Sequence, residues 1–146
     1  MKTAVRIGVV GSNARATEMG RLLVDAGHNV SSGDAGGGAS VLDMLIFAGP
    51  RGGADEIVNR LGKVPDRTVV VDAMEGTVPA GPEGAALLAE KLGIGRVVRA
   101  MIAQPKAGSH VLMWGHDHAD MQLVADVFRA AGCVTTDCDP TLNAII

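Results

Sequence analysis

Chemistry in this chain is most readily sought where a buried-looking run gives way to a helix, at Ile7-Gly8-Val9-Val10-Gly11-Ser12-Asn13-Ala14-Arg15-Ala16. A glycine-rich strand-to-helix turn has a mechanism. The first glycine makes the turn, the second lets the backbone approach a pyrophosphate, and the third permits close packing of helix on strand. Gly11 fills the first place, Asn13 the second and Ala16 the third. An asparagine side chain thus stands where backbone and pyrophosphate should nearly touch. Ser12 and the first amides of the helix still face any anion, and Arg15 on the first turn adds a positive charge. The plain reading of Arg15 is a solvent-facing arginine.

Other reactive side chains lie further along. Glu75 follows the run Thr68 to Ala73 in a glycine-bounded loop, a place for a general acid or base or for a merely solvated carboxylate. Asp72 ends that run and is equally suited to tying a loop. His110 opens a strand after Gln104-Pro105-Lys106-Ala107-Gly108-Ser109, and its titration range suits proton transfer. His110, His116, Asp117, His118 and Asp120 look at first like a metal cluster, but two histidines share a helical face at a spacing of three or four, not the two that separate His116 from His118. No metal site is expected there, and Asp117 reads as a helix cap. Cys133 and Cys138 stand five apart in one strand-like run and point to opposite faces, against a local disulfide. Ser12 and Ser109 have no histidine and carboxylate partners at recognisable spacing, so no hydrolase triad is expected. Trp114 is placed for the core, an interface or a ligand wall.

The elements that must position these residues follow from periodicity. Strands are expected at Ala4–Val10, Asn29–Ser32, Val41–Ala48, Thr68–Ala73, Arg96–Ile102, His110–Trp114 and Cys133–Asp137. Helical spacing marks Ala14–Ala26, closed by Gly27, then Gly53–Leu61, Pro82–Leu92, and a last helix from the Asp117 cap to Gly132. Alternating strands and helices imply βαβ units and a parallel sheet. The alternation fails once, at Gly33-Asp34-Ala35-Gly36-Gly37-Gly38-Ala39-Ser40, which is too short and glycine-rich for a crossover helix. A parallel neighbour therefore cannot follow directly, and if the second and third strands instead flank the first, this loop passes over the carboxyl edge of the sheet. The short loop Gln104–Ser109 predicts one antiparallel pair.

The 146 residues include 20 glycines, no tyrosine, two phenylalanines and one tryptophan, with a net charge of −3. This is one domain's worth of chain, able to bury roughly two thirds of its unfolded surface without staples. The absent basic excess and aromatic poverty argue against a nucleic-acid partner. No apolar run reaches the roughly 18 residues of a membrane span, and no signal-like segment opens the chain, so no membrane partner and a cytoplasmic location are expected.

Gly11-Ser12-Asn13, Gly20-Arg21-Leu22-Leu23, Ala26-Gly27-His28-Asn29-Val30 and Leu42-Asp43-Met44-Leu45-Ile46-Phe47-Ala48-Gly49-Pro50 together resemble the NADP oxidoreductases that depend on the deazaflavin coenzyme F-420. Val69 to Ala73, Gly81-Pro82-Glu83-Gly84, Arg96 to Ala100, Trp114-Gly115-His116-Asp117 and Ala131-Gly132-Cys133 continue the likeness over nearly the whole chain. The resemblance implies an α/β, Rossmann-like doubly wound, mostly parallel sheet of six to seven strands. One helix/strand unit is trimmed after the second strand, and 1–146 forms a single domain.

Departures from that family bear on function. Where it carries Ser-Arg for the NADP 2′-phosphate, this chain has Asp34-Ala35. A carboxylate there repels phosphate and suits the ribose diol of NAD. Met74-Glu75-Gly76 replaces Thr-Asn-Pro, and Ala100-Met101-Ile102-Ala103 replaces Ala-Phe-Asn-Thr, putting Ile102 where an asparagine meets the cofactor rings. The main expectation is therefore a rebuilt, cofactor-independent crevice that cyclises, isomerises or eliminates an apolar small molecule. Glu75 and His110 would be catalytic, and Ala48, Pro50, Met74, Met101, Ile102 and Gln104 would line the substrate. The alternative is an NAD- or NADP-dependent oxidoreductase whose cofactor contacts are Gly11, Ser12, Asn13, Arg15 and Asp34. A non-catalytic binding protein is the third reading. The apolar end Leu142-Asn143-Ala144-Ile145-Ile146 suggests docking on a second copy in a homodimer.

Overall fold

Short runs of valine, leucine, isoleucine and methionine suit strands covered on both faces. The computed structural model describes residues 5–11, 14–33, 42–49, 54–61, 64, 67–74, 88–90, 92–93, 96–115 and 117–138. Among them, the strands are β1 (Arg6–Val10), β2 (Asn29–Gly33), β3 (Met44–Phe47), β4 (Val69–Asp72), β5 (Val97–Ile102), β6 (His110–Trp114) and β7 (Val134–Asp137). They form one sheet in the order β2-β1-β3-β4-β5-β6-β7. Every pair is parallel except β5 with β6. The loop of residues 103–109 is too short for a crossover, so β6 returns antiparallel. β2 and β3 lie on opposite sides of β1, the arrangement that the short glycine-rich segment between them allows, and the strand order reverses there.

The helices are α1 (Ala14–Asp25), α2 (Ala54–Leu61) and α3 (His118–Ala130), and residues 88–90 are also helical. Side-chain alternation along the strands gives each face its own core. On one face Ile7, Val9, Ile46, Val71, Val98 and Val111 pack against Met19 and Leu23 of α1 and Val124 and Phe128 of α3. On the other, Val10, Leu45, Phe47 and Val70 meet Leu88, with Ile57 and Val58 of α2 against them. The third strand begins at Met44 rather than Val41, although Asp43 is already bound on both sides. Its N–H donates to Arg6 O at 2.9 Å, and its carbonyl accepts from Val69 N at 3.0 Å.

Element ends follow local chemistry. Gly27, with φ +93°, takes the left-handed conformation that stops α1. Asp117 caps α3 by accepting from Asp120 N at 2.9 Å. Asp120 is 4% exposed and takes both ends of the Arg96 guanidinium, at 2.7 and 3.2 Å. That bidentate pair fastens the start of α3 to the approach to β5. Two members of the suspected metal cluster are thus spent on structure, while His116 lies outside the described residues. Cys133 is buried, its thiol pushed up from the usual range by desolvation, and both cysteines are free.

Among the described residues no helix is long and apolar enough to cross a membrane. The expected tail, 142–146, lies outside them. Asp117→Ala is expected to cost about 1 kcal/mol of stability, the usual worth of an N-cap, measured as a lowered urea midpoint with unchanged slope.

Candidate functional site

The crevice begins where β1 ends. Gly11 has φ +143°, and a Cβ there would stand 2.7 Å from Gly49 N, 2.9 Å from Gly49 Cα and 3.0 Å from Ala16 Cβ. No side chain fits, because the backbone that leaves β1 crosses the backbone that leaves β3 at contact distance. Ala48, buried just beyond β3, donates its N–H to Val10 O at 3.0 Å and holds the two strand ends together. The buried Ala16 completes the contact with a small side chain, so the first and third places of the turn act as the sequence suggests. Above this turn α1 begins, and its first amides have no partners within the helix.

Arg15 has a different position from the solvent-facing one that its spacing allows. From the first turn of α1 it reaches to the far strands, where Nη1 donates to Ala103 O at 3.1 Å and Nη2 to Ala73 O at 3.3 Å. Nη2 also donates to Ile102 O. One guanidinium therefore covers the carboxyl ends of β4 and β5. Its Nε is buried and has no hydrogen-bond partner among the described residues.

The residues just below this lid are structural. Asp72, 1% exposed at the end of β4, accepts from Met74 N at 3.1 Å and lies 3.8 Å from Nη1 of Arg99, its register partner on β5. Asp72 thus ties the turn, the plainer of its two readings. Met74 is 6% exposed and packs with Val10, Phe47 and Leu88, so its expected place on the crevice wall is corrected to the core. Met101 and Ile102 cannot form one apolar wall either, because consecutive strand residues leave opposite faces. Ile102 is buried in the α1–α3 core and offers only its carbonyl to the crevice, while Met101 emerges on the other face beside Leu112.

Gln104 is exposed, and its carbonyl accepts from Ser109 Oγ at 2.7 Å. It also borders a cleft of about 530 Å³ formed by α1, the loop after β5 and the end of α3, away from the Gly11 turn. The charged side chains Glu18, Arg21, Asp25 and Lys106 line that cleft. His110 is exposed at the start of β6, with its neighbour Val111 opposite Ile102, and so stands at the same edge as the Arg15 contacts. Ser12, Asn13, Asp34, Pro50 and Glu75 lie outside the described residues.

No known family pattern matches the chain, and no curated protein matches it. Solved structures do. Prephenate dehydrogenase from Aquifex aeolicus, in complex with hydroxyphenyl propionate and NAD+, superimposes with a TM-score of 0.74 at 16% identity, covering 97% of this chain and 62% of that one. Pyrroline carboxylate reductase from Plasmodium falciparum, with NADP bound, gives 0.73 at 12% identity over 92% of this chain and 57% of that one. An imine reductase from Streptomyces aurantiacus gives 0.71 at 15% identity over 96% and 58%. The chain has a Rossmann-like fold. It spans less than two thirds of the length of each of these three structures.

These likenesses correct the expectation of a cofactor-free site. The same fold is solved with NAD+ in one neighbour and NADP in another, and the cyclisation, isomerisation or elimination reading finds no support among the three. None of them is named as a deazaflavin enzyme. The physical reason is that the departures from the family pattern change side chains and leave the main-chain turn at Gly11 in place. The Gly11–Gly49 approach is a backbone feature and survives them.

Asp72→Ala is expected to destabilise the fold by about 3–5 kcal/mol, because it removes both the carboxylate beside the buried Arg99 charge and the acceptor of the Met74 amide. Asp72→Leu combined with Arg99→Met should recover most of that loss. Urea unfolding of the two variants checks both statements.

Proposed function

We propose that this chain is the nucleotide-binding part of a nicotinamide-dinucleotide-dependent oxidoreductase. The observation that carries the reading is the Gly11 turn, placed where strand order reverses and followed at once by the N-terminus of α1. In open α/β sheets ligands lie across the carboxyl ends of the strands at this reversal, with a pyrophosphate at the helix N-terminus. The neighbours solved with NAD+ and NADP support the same assignment.

The residues fit such a group. The tight turn without Cβ lets the backbone at Gly11 approach the pyrophosphate, the α1 amides donate to it, and Ser12 and Asn13 are assigned to the same group by their place in the sequence. Asp34, just after β2, holds the ribose diol and repels a 2′-phosphate, so NAD is preferred to NADP. The nicotinamide ring, when bound, supplies or accepts a hydride. His110 and Glu75 are assigned to proton transfer with a small-molecule substrate at the carboxyl edge, Gln104 to its positioning, and Pro50 to the wall beside β3, whereas Ala48, fully buried in the core, is withdrawn from that wall. The order of segments from Gly11 to Cys133 supports kinship with the deazaflavin-dependent reductases, with the 2′-phosphate site altered. A cytoplasmic homodimer is the assembly proposed.

Titration calorimetry tests the proposal. NAD is expected to bind in the micromolar range and NADP at least about tenfold more weakly, a difference of about 1.4 kcal/mol. Asp34→Ala should narrow that gap. Absence of binding by either dinucleotide at millimolar concentration would refute the assignment, and tighter binding of NADP would refute the role of Asp34.

A further inference from the structure

The Arg15 contacts join parts of the chain that are 58 to 88 residues apart. Three N–H groups of one guanidinium are spent on backbone carbonyls of Ala73, Ile102 and Ala103, at the ends of two adjacent strands. Those carbonyls face the edge across which a dinucleotide must lie. With the pyrophosphate over the Gly11 turn and one ribose toward β2, the second nucleoside extends the other way, over β3 and β4 toward β5. Arg15 already occupies that place. It uses the acceptors that a carboxamide NH₂ would need, and its positive charge repels an oxidised nicotinamide ring.

The arrangement is also releasable. Arg15 is half-buried, and its shielded Nε has no acceptor among the described residues, so the clamp leaves a donor unmade. An unmade buried donor is costly and offsets part of the gain from the three bonds that are made. A guanidinium on the first turn of α1 can swing from the strand ends toward a bound pyrophosphate, where all its donors find acceptors.

We propose that Arg15 decides which half of a dinucleotide the crevice holds. Resting on the carbonyls of Ala73, Ile102 and Ala103, it admits an ADP-type ligand and closes the place of the second nucleoside. The full dinucleotide gains its second set of contacts only when the guanidinium leaves. This rests on the dinucleotide reading and names Arg15 as the specificity-determining residue of that site. It is not a catalytic residue.

Binding of ADP-ribose and of NAD to the full chain, measured side by side for the native protein and Arg15→Gln, tests the proposal. In the native protein NAD should bind within about twofold of ADP-ribose, because the nicotinamide half contributes little. In Arg15→Gln the ratio should shift at least about fivefold in favour of NAD. Arg15→Lys, which keeps the charge but presents a single ammonium instead of a fork, should fall between them and serves as the control for folding. An unchanged ratio overturns the proposal, including the case in which both ligands weaken together. If neither ligand binds the native protein, the dinucleotide reading falls and this proposal with it, so the two failures are told apart.

Discussion

The close crossing of the Gly11 and Gly49 backbones is the constraint on which the site depends. It holds the ends of β1 and β3 together where the sheet reverses its strand order, and it fixes where α1 begins. Only a residue without Cβ meets the 2.7 Å limit set by Gly49 N. Since the turn is defined by main-chain atoms, substitution of the side chains around it changes what a ligand touches without moving the place where it lies.

Around that crossing the carboxyl edge is a problem of unpaired carbonyls and buried charge, solved by long-range partners. Asp72 takes the Met74 amide and sits beside Arg99, which keeps the end of β4 polar but closed. Arg15 closes the next positions outward by covering the ends of β4 and β5. At the opposite edge, Arg96 and Asp120 fasten α3 to the sheet in a bidentate pair. These contacts tie the Arg15 guanidinium, the Asp72 turn and the start of α1 to the same strand ends. Of these side chains, Arg15 is the one proposed to move. It stands half-exposed on a helix end and keeps one donor unmade, whereas Asp72 and Arg99 are sealed in the sheet.

Much of the fold could be read in the chain because its signals are local. The apolar runs give all seven strands within a few residues, and His110–Trp114 matches its strand fully. The antiparallel pair follows from the length of the loop before it, the placing of β2 and β3 on opposite sides of β1 accords with the short glycine-rich run between them, and Asp117 announces the start of α3. The site was less legible. Arg15 meets partners far along the chain, and no spacing rule connects residue 15 with residues 73, 102 and 103. The Asp72–Arg99 pair needs the register of β4 against β5, which periodicity does not supply. Met101 and Ile102 are another matter, since strand alternation already forbids a shared wall and that signal was present. The cofactor expectation failed because Asn13, Asp34 and Ile102 differ from the pattern in side chain alone, whereas the Gly11 turn is set by main-chain atoms.

A crystal of this chain soaked with ADP-ribose would locate the ligand directly. The account predicts pyrophosphate density over the N-terminus of α1 at the Gly11 turn, with the adenosine ribose toward the end of β2 and Arg15 still on the strand-end carbonyls. Nucleotide density in the cleft between α1 and α3, with none at the turn, would contradict it.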